Sequence, residues 1–390
     1  MEKMEVIIHQ QIDSLEKILP KWAKLKEGFR EITTFQDINW IKGWWDYKSK
    51  QRNITPYIIE IRKRNNNETI GIIPLYYSHV KVAGLSFCIL KPMGSELSDY
   101  LIPILSKEYS AEKILSEALD KIYEGKSNWD CIIWGDIPEN SFFDSFLNTH
   151  LSEEYAMIER KRADVCPFLI LNKDVEEVIL KFDKKLVKEV LSKERKLKRD
   201  GSLNYCKVVT ADEIEPIMNK LFELHCERWE KTNTPSRFRL KEEREHALLA
   251  AKNLFNSNLL HLSYLIHNDE IVAVECAKTD GKKIYLYLTA FNIKFKRYSV
   301  GNLLLYNLIL EACKEGYEIV DFTRGNESYK QQWGTIDKYN VNYVFFNLTL
   351  KSVLFKSIHR IYHSKHFNLY MQKFVANRLL AKSAVTKQGD

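Results

Sequence analysis

Residues 260–327 decide the fold. They read Leu260-His-Leu-Ser-Tyr-Leu-Ile266, then Ile271-Val-Ala-Val-Glu-Cys-Ala-Lys278, then Lys283-Ile-Tyr-Leu-Tyr-Leu-Thr-Ala-Phe291. These runs are rich in β-branched and aromatic residues, as strands are. Their connectors, His267-Asn268-Asp269-Glu270 and Asp280-Gly281, are hairpin turn chemistry. After a basic loop, Asn302–Lys314 is almost wholly apolar and stops at Gly316, the pattern of a buried helix with a glycine C-cap. Ile319–Thr323 is a further strand that emerges into the polar turn Arg324-Gly325-Asn326-Glu327.

The same order of elements recurs upstream. Phe35–Lys48 carries Trp40, Trp44 and Trp45 at near-helical spacing. Tyr57–Arg62 and Thr69–Tyr77 are strand-like runs either side of Asn65-Asn66-Asn67. Ala111–Glu124 places Ile114, Leu115, Ala118, Leu119 and Ile122 on one helical face and ends at Gly125, and the strand Asp130–Trp134 follows. A lysine-rich helix over Val175–Arg199, a strand near Leu203–Val209 and helices over Glu213–Lys231 and Lys241–Asn256 lead into the deciding stretch. The reading is α+β, two similar domains in tandem with mixed, largely antiparallel sheets: residues 1–165, then 166–350, then a basic amphipathic tail, 351–390.

Charge supports a near-neutral body. The chain has 390 residues with 59 Lys and Arg against 52 Asp and Glu, a net +7. Nine basic residues and one acid lie between Lys338 and Asp390, so the preceding 337 residues sum to −1. The excess therefore describes a tail, not a nucleic-acid-binding body. Ser352–Lys387 lacks any acid. Leu354, Ile358, Ile361 and Tyr362 share one face there, and Lys356, Arg360 and Lys365 another. That pattern fits either an anionic membrane surface or a packed C-terminal helix. Seven scattered cysteines without a C-x-x-C pair read as reduced thiols of a cytoplasmic protein. No signal peptide and no 20-residue apolar span is visible.

The chemistry-bearing residues fall in four places. Lys296-Arg297-Tyr298-Ser299-Val300-Gly301-Asn302 joins a strand to the buried helix. Helix N-termini bind anions, Gly admits a phosphate closely, and Lys296 and Arg297 add cationic charge. The alternative is a plain strand-to-helix loop. His225 and Arg228 are one helical turn apart with Trp229 beside them, fit either to line an acceptor cleft and bind an acidic group or to form a structural cluster. Asp321 ends a strand, and Arg324, Glu327, Tyr329 and Lys330 follow closely. These either meet a ligand or fix a turn by ion pairs. Glu275, in a β-branched strand, faces inward as a base or outward to solvent, with the solvent face favoured. No metal-ligand spacing and no hydrolase triad stands out.

These residues resemble the GNAT acyltransferase superfamily, whose loop reads R/Q-x-x-G-x-G/A. Here it is Lys296-x-x-Ser299-x-Gly301, keeping the final glycine. The chain is more closely similar to the CelD-like, cellulose-biosynthesis-type acetyltransferases, which are related to FemAB-type transferases. The similarity spans about 180–335. It rests on His225-x-x-Arg228-Trp229, Tyr298-Ser299-x-Gly301 and Asp321-Phe322-x-Arg324-Gly325-x-Glu327-x-Tyr329-Lys330, with Val300 where the branch often has Pro. The resemblance implies that the active domain is the C-terminal one, with a degenerate domain before it. It implies acyl-CoA, most simply acetyl-CoA, as co-substrate held by residues 296–302, and no metal. Asp321, Glu275, or His225 through water, would be the base, Tyr329 either the acid toward the thiolate or a buried structural residue, and Arg228, Trp229, Arg324, Glu327 and Lys330 would hold the acceptor. That acceptor would be an amine or hydroxyl of a sugar, polysaccharide or cell-envelope precursor. The alternatives are aminoacyl-tRNA-dependent transfer and an inactive scaffold of a polysaccharide-synthesis complex.

Overall fold

The computed structural model describes residues 3–26, 33–50, 53–82, 84–150, 156–230, 232 and 235–362. They form two compact units, residues 1–164 with 338–362, and 165–337.

The first unit opens with β1 (Met4–His9), α1 (Ser14–Lys26), α2 (Ile38–Lys48), β2 (Ile54–Lys63), β3 (Thr69–Val82), β4 (Leu85–Pro92) and β5 (Ile104–Leu105). It continues with α3 (Ala111–Glu124), β6 (Cys131–Pro138), α4 (Phe142–His150) and β7 (Ala156–Val165). The second unit holds β8 (Phe168–Ile170), α5 (Val175–Ile179), α6 (Lys184–Asp200), β9 (Leu203–Lys207), α7 (Ala211–Trp229) and α8 (Lys241–Asn256). There follow β10 (Leu260–His267), β11 (Glu270–Thr279), β12 (Lys283–Phe291), α9 (Val300–Glu315), β13 (Ile319–Asp321) and α10 (Ser328–Gln331). The chain then supplies β14 (Tyr339–Asn347) and α11 (Leu350–Tyr362) to the first unit.

The sheets are ordered β1-β2-β3-β4-β6-β14-β7 and β9-β10-β11-β12-β13-β8. Each contains a parallel pair, β4 with β6 and β12 with β13, flanked by antiparallel neighbours. A helix, α3 or α9, makes each crossover, so the tandem read from element order is the one observed. The hairpin turns form as their residues demand. Asn268 and Asp269 both take positive φ, +47° and +63°, and Gly281 sits at +88°. α9 buries Leu303, Leu304, Leu308, Ile309 and Ala312 and ends at Gly316, φ +84°. The single helix expected over Val175–Arg199 is two, because Asp183 accepts from the Lys185 and Leu186 amides and starts α6 afresh.

The C-terminal end corrects the expected division. Residues 339–347, expected within the second domain, form β14, which pairs with β6 of the first, Val344 opposite Ile133. α11 is likewise no free tail. Phe355 is buried with its ring 4.7 Å from that of Phe87, and Ile358 packs on the same cluster. Leu354 and Ile361, expected on the same apolar face, are exposed, because Ser352 and Phe355 set the buried stripe. Lys351 pairs with Asp130, and Lys356 and Arg360 with Glu159. Residues 363–390, which carry the rest of the basic tail, lie outside the described residues. No helix among the described residues is long and apolar enough to cross a membrane.

Candidate acyl-transfer site

The site is built where β12 and β13 part. Their parallel pairing runs from Lys283 opposite Ile319 to Tyr285 opposite Asp321. β13 then stops, whereas β12 runs on to Phe291. Backbone groups on that side of β12 beyond Tyr285 are thus released from strand pairing and turned toward the opening. A bulge marks the same place: Cys276 pairs with Leu288 and Ala277 with Leu286, which leaves Tyr287 as the extra residue. Bulges re-aim strands beside sites. The chain leaving β13 is held open by its own contacts. Thr323, at φ +53°, donates its hydroxyl to the Leu286 carbonyl at 2.9 Å.

Glu275 stands beside this opening, on β11. Contrary to the favoured solvent-facing expectation, it is 3% exposed. Thr289, its partner in register on β12, donates its hydroxyl to Glu275 Oε2, whereas Oε1 has no partner among the described residues. Desolvation pushes the carboxyl up to about 8, opposed by the bonds from Thr289 and the Tyr287 backbone. Tyr329 on α10 is half-exposed. Its phenol is raised above its ordinary range by desolvation first and by the charges of Glu275 and Glu327 next, with Arg228 acting in the opposite sense. Glu275, Tyr329 and Arg228 therefore share one electrostatic neighbourhood.

Arg228 lies 4.8 Å over the ring of Phe291 and 5.7 Å from that of Trp229. His225, a turn earlier on α7, faces Ser236 Oγ at 2.9 Å and stacks on Trp229. Burial, then the charges of Arg228 and Arg237, pull its imidazole down to about 4. It is neutral at physiological pH. Arg237 donates to the Tyr287 hydroxyl at 3.4 Å, and the Lys278 ammonium lies 3.6 Å over the Tyr287 ring. Neither Arg228 nor Arg237 has a carboxylate partner among the described residues.

The loop into α9 is a 3-10 turn, Ile293–Tyr298, closed by Ser299 at φ +50°. Val300, expected in the cradle, is fully buried as the first residue of α9. A Cβ built on Gly301 would meet only the Phe291 ring, at 3.4 Å, so the space above it is open. The Ser299 side chain does not cap α9 and instead donates to Glu189 of α6 at 3.0 Å. Lys193 donates to the Arg297 carbonyl, and Arg297 to the Tyr298 hydroxyl. Tyr298 in turn donates to Asp200. The α9 N-terminus, the open space at Gly301 and the cations Lys296 and Arg297 fit an acyl-CoA pyrophosphate, while the nearby Glu189 carboxylate opposes it.

Four of the expected residues serve the turn after β13. Asp321 is fully buried and accepts from the Thr323 amide at 2.8 Å, a local bond that fixes the turn. Lys330, expected on the acceptor, is turned inward. Its ammonium donates to the carbonyls of Thr323, Arg324 and Gly325 and pairs with Glu327 at 3.0 Å. Arg324 thus contributes its carbonyl to this clamp, and Glu327 its carboxylate. The expected residues that do converge on the opening are Glu275, Tyr329 and Arg228, with His225 and Trp229 behind Arg228. Thr289 and Arg237 were missed. Thr289 was open to discovery only through pairing register, and Arg237 had no motif to mark it.

Residues 184–331 match the protein-family model for the acetyltransferase (GNAT) domain. No curated protein matches the chain significantly. Among solved structures, FemX is similar at a TM-score of 0.59 and 13% identity, over 91% of this chain and 99% of that one. A conserved protein of unknown function from Bacteroides thetaiotaomicron is similar at 0.53 and 12%, over 87% and 100%. The C-terminal DUF2156 domain of an Agrobacterium fabrum protein assigned as a lysylphosphatidylglycerol synthetase follows at 0.51 and 10%, over 89% and 97%. These likenesses show the two-unit fold. The GNAT domain identifies the chain as an acyltransferase.

Proposed function

We propose that this chain transfers an acyl group, most simply acetyl, from acyl-CoA to an amine or hydroxyl of an anionic saccharide or cell-envelope precursor. The observation that carries the reading is Glu275: a buried carboxyl, raised to about 8, with one oxygen unbonded beside the opening of β12. Such a group near neutrality is suited to general-base work. Glu275 takes the proton of the acceptor as its N or O attacks the thioester carbonyl. Backbone N–H groups of β12 beyond Tyr285 stabilise the oxyanion. The carbon–sulfur bond then breaks, and Tyr329, whose raised phenol stays protonated, gives its proton to the thiolate and takes another from solvent at its exposed side. Bound acyl-CoA supplies the activated acyl group. Lys296, Arg297 and the backbone at Gly301 and Asn302 hold its pyrophosphate. The neutral His225 acts as a support for Trp229 and Arg228 rather than as the base, and Asp321 as a turn brace.

The anionic character of the acceptor is supported by Arg228 and Arg237, two guanidiniums at the opening with no carboxylate partner among the described residues. The motifs around His225, Arg228, Trp229 and Tyr298 to Gly301 support a place in the CelD-like branch and an exopolysaccharide setting. Contact with an anionic membrane surface is proposed for residues 363–390 alone, at the cytoplasmic face. The test is release of the CoA thiol from acetyl-CoA across a panel of amino-sugar phosphates and their neutral analogues. Glu275→Gln is expected to lower kcat about 100-fold or more while acetyl-CoA binding persists. Turnover unaffected by this change would remove the reading.

One observation favours a second donor. On α6, Lys184, Lys185, Lys188, Arg195, Lys196 and Arg199 have no acidic partner among the described residues, and α6 touches the 296–302 loop through Glu189, Lys193 and Asp200. An aminoacyl-tRNA would use such a stripe. Binding of tRNA that weakens steeply with salt would favour it over acyl-CoA.

A further inference from the structure

Glu275 belongs to a polar file that crosses the second sheet. Lys207 on β9 pairs in register with Ser263 on β10, Ser263 with Glu275 on β11, and Glu275 with Thr289 on β12. Residues paired in register point to the same side of a sheet. Leu265, Ala273 and Ala277, of the same parity, pack with α9, so the file lies on the α9 face. At its outer end Lys207 pairs with Glu315 of α9 and lies 3.9 Å from Glu311. The Tyr205 phenol sits within interaction range of both Ser263 and Glu311.

These groups are buried without being paired off. Among the described residues, Tyr205 OH, Ser263 Oγ, Glu275 Oε1, Glu311 Oε2 and both ring nitrogens of His261 have no hydrogen-bond partner in good geometry. Leaving such an atom unsatisfied in the interior costs stability. Apolar side chains would avoid that cost, as Leu265 and Ala273, paired with each other two residues along the same strands, do. A row of exchangeable protons, neighbours in register from the base to the edge of the sheet, is a chemical reason for retaining it.

We propose that this file carries the proton of Glu275 to the surface: from the Glu275 carboxyl to Ser263, from Ser263 to Tyr205, and from Tyr205 to Glu311. At each hydroxyl one O–H bond forms and another breaks, so Ser263 and Tyr205 end neutral. Glu275 is left as carboxylate, and Glu311, whose side chain is 30% exposed, releases the proton to solvent. The groups facing Glu275 are Ser263 from β10, Thr289 from β12 and Tyr329 from α10, with the charge of Arg228 from α7 nearby. Lys207 and Glu315 hold the outer end, and His261 flanks it in its neutral form. The inference rests on Glu275 as the base only for its use in turnover. The path itself is a property of the folded chain.

The test follows the Glu275 carboxyl by infrared absorption after a rapid pH jump across its titration, on full-length protein without substrate. Glu275→Gln identifies the band. Ser263→Ala and Tyr205→Phe remove buried unpaired hydroxyls and are expected to fold with undiminished stability. Each should slow proton loss from Glu275 at least tenfold, with recovery on adding imidazole buffer. Single-turnover acyl transfer starting from ionised Glu275 should stay unchanged in both variants, while steady-state turnover falls. Proton loss as fast as in wild type in both variants would overturn the path, as would slowing by Tyr329→Trp alone, which would place the exit through the cleft. A normal path with no effect of Glu275→Gln on turnover would instead remove the base assignment and leave the path standing.

Discussion

The Ser299 hydroxyl donates to the Glu189 carboxylate at 3.0 Å, so an acid from α6 stands beside the N-terminus of α9. A pyrophosphate held there would meet like charge. Glu189→Gln is therefore expected to tighten acetyl-CoA binding about three- to tenfold, a gain of order 1 kcal/mol for an exposed, screened charge. The gain should shrink at high salt. Calorimetric titration reads both. An unchanged or weaker affinity would mean that the donor phosphates lie elsewhere.

Gly301 gives the complementary test. Its backbone is helical, and a Cβ there would touch the Phe291 ring alone within 4 Å among the described residues. Gly301→Asp should abolish acetyl-CoA binding by filling that space with charge, while an acid in the first turn of a helix keeps α9 stable. A cooperative melt with no ligand-induced rise in Tm is the expected pair of results. Binding equal to wild type would exclude this loop as the pyrophosphate site.

Much of the second unit was legible because its signals are local. Asn268, Asp269 and Gly281 specify tight turns whatever surrounds them, and Gly316 ends α9 by its own conformation. What was illegible depends on pairing between distant strands. Nothing in Tyr339–Asn347 states which sheet it will join, so its return to β6 could not be seen. The inward turn of Glu275 follows from its register with Ser263 and Thr289, which no one-strand pattern contains, since β11 is buried on both faces. The clustered charges from Asp321 to Lys330 looked like a binding motif and are largely a clamp on one turn. A lysine bound to backbone carbonyls leaves no trace in residue spacing.

The pH dependence of stability should carry two opposite contributions. Glu275 is raised in the folded state, so the native protein keeps a proton that the unfolded chain has lost. Its contribution is fully present below the ordinary carboxylate range and is lost as pH rises toward about 8. His225 is lowered to about 4, so its contribution is present above the ordinary histidine range and is lost as pH falls toward 4. Glu275→Gln should then melt higher than wild type at pH 8 and show a flatter profile between pH 5 and 8. A variant with the wild-type slope over that range would show Glu275 to be solvated.

On α11 the buried and exposed apolar residues should separate cleanly. Phe355 is 5% exposed and Leu354 44%. Phe355→Ala should cost about 3–5 kcal/mol by urea unfolding, and Leu354→Ala within about 0.5 kcal/mol. Truncation before Leu350 should destabilise at least as much as Phe355→Ala, because it also uncovers Phe87 and Phe346. Equal small effects at both positions would mean that α11 is not part of the first unit's core.

Arg228 decides whether the opening reads an anion. Its guanidinium lies over Phe291 and Trp229 and meets no carboxylate among the described residues. An incoming phosphate or carboxylate would supply the missing charge, and the aromatic faces would hold the guanidinium plane ready for it. Arg228→Ala is expected to raise KM for an anionic acceptor about tenfold or more, with the acetyl-CoA constant nearly unchanged. The neutral analogue of the same acceptor should lose much less. Arg228→Lys, which keeps the charge but not the planar fork, should fall between. If the anionic acceptor and its neutral analogue lose equally, Arg228 supports the packing of α7 on β12 and the acceptor's charge is read elsewhere.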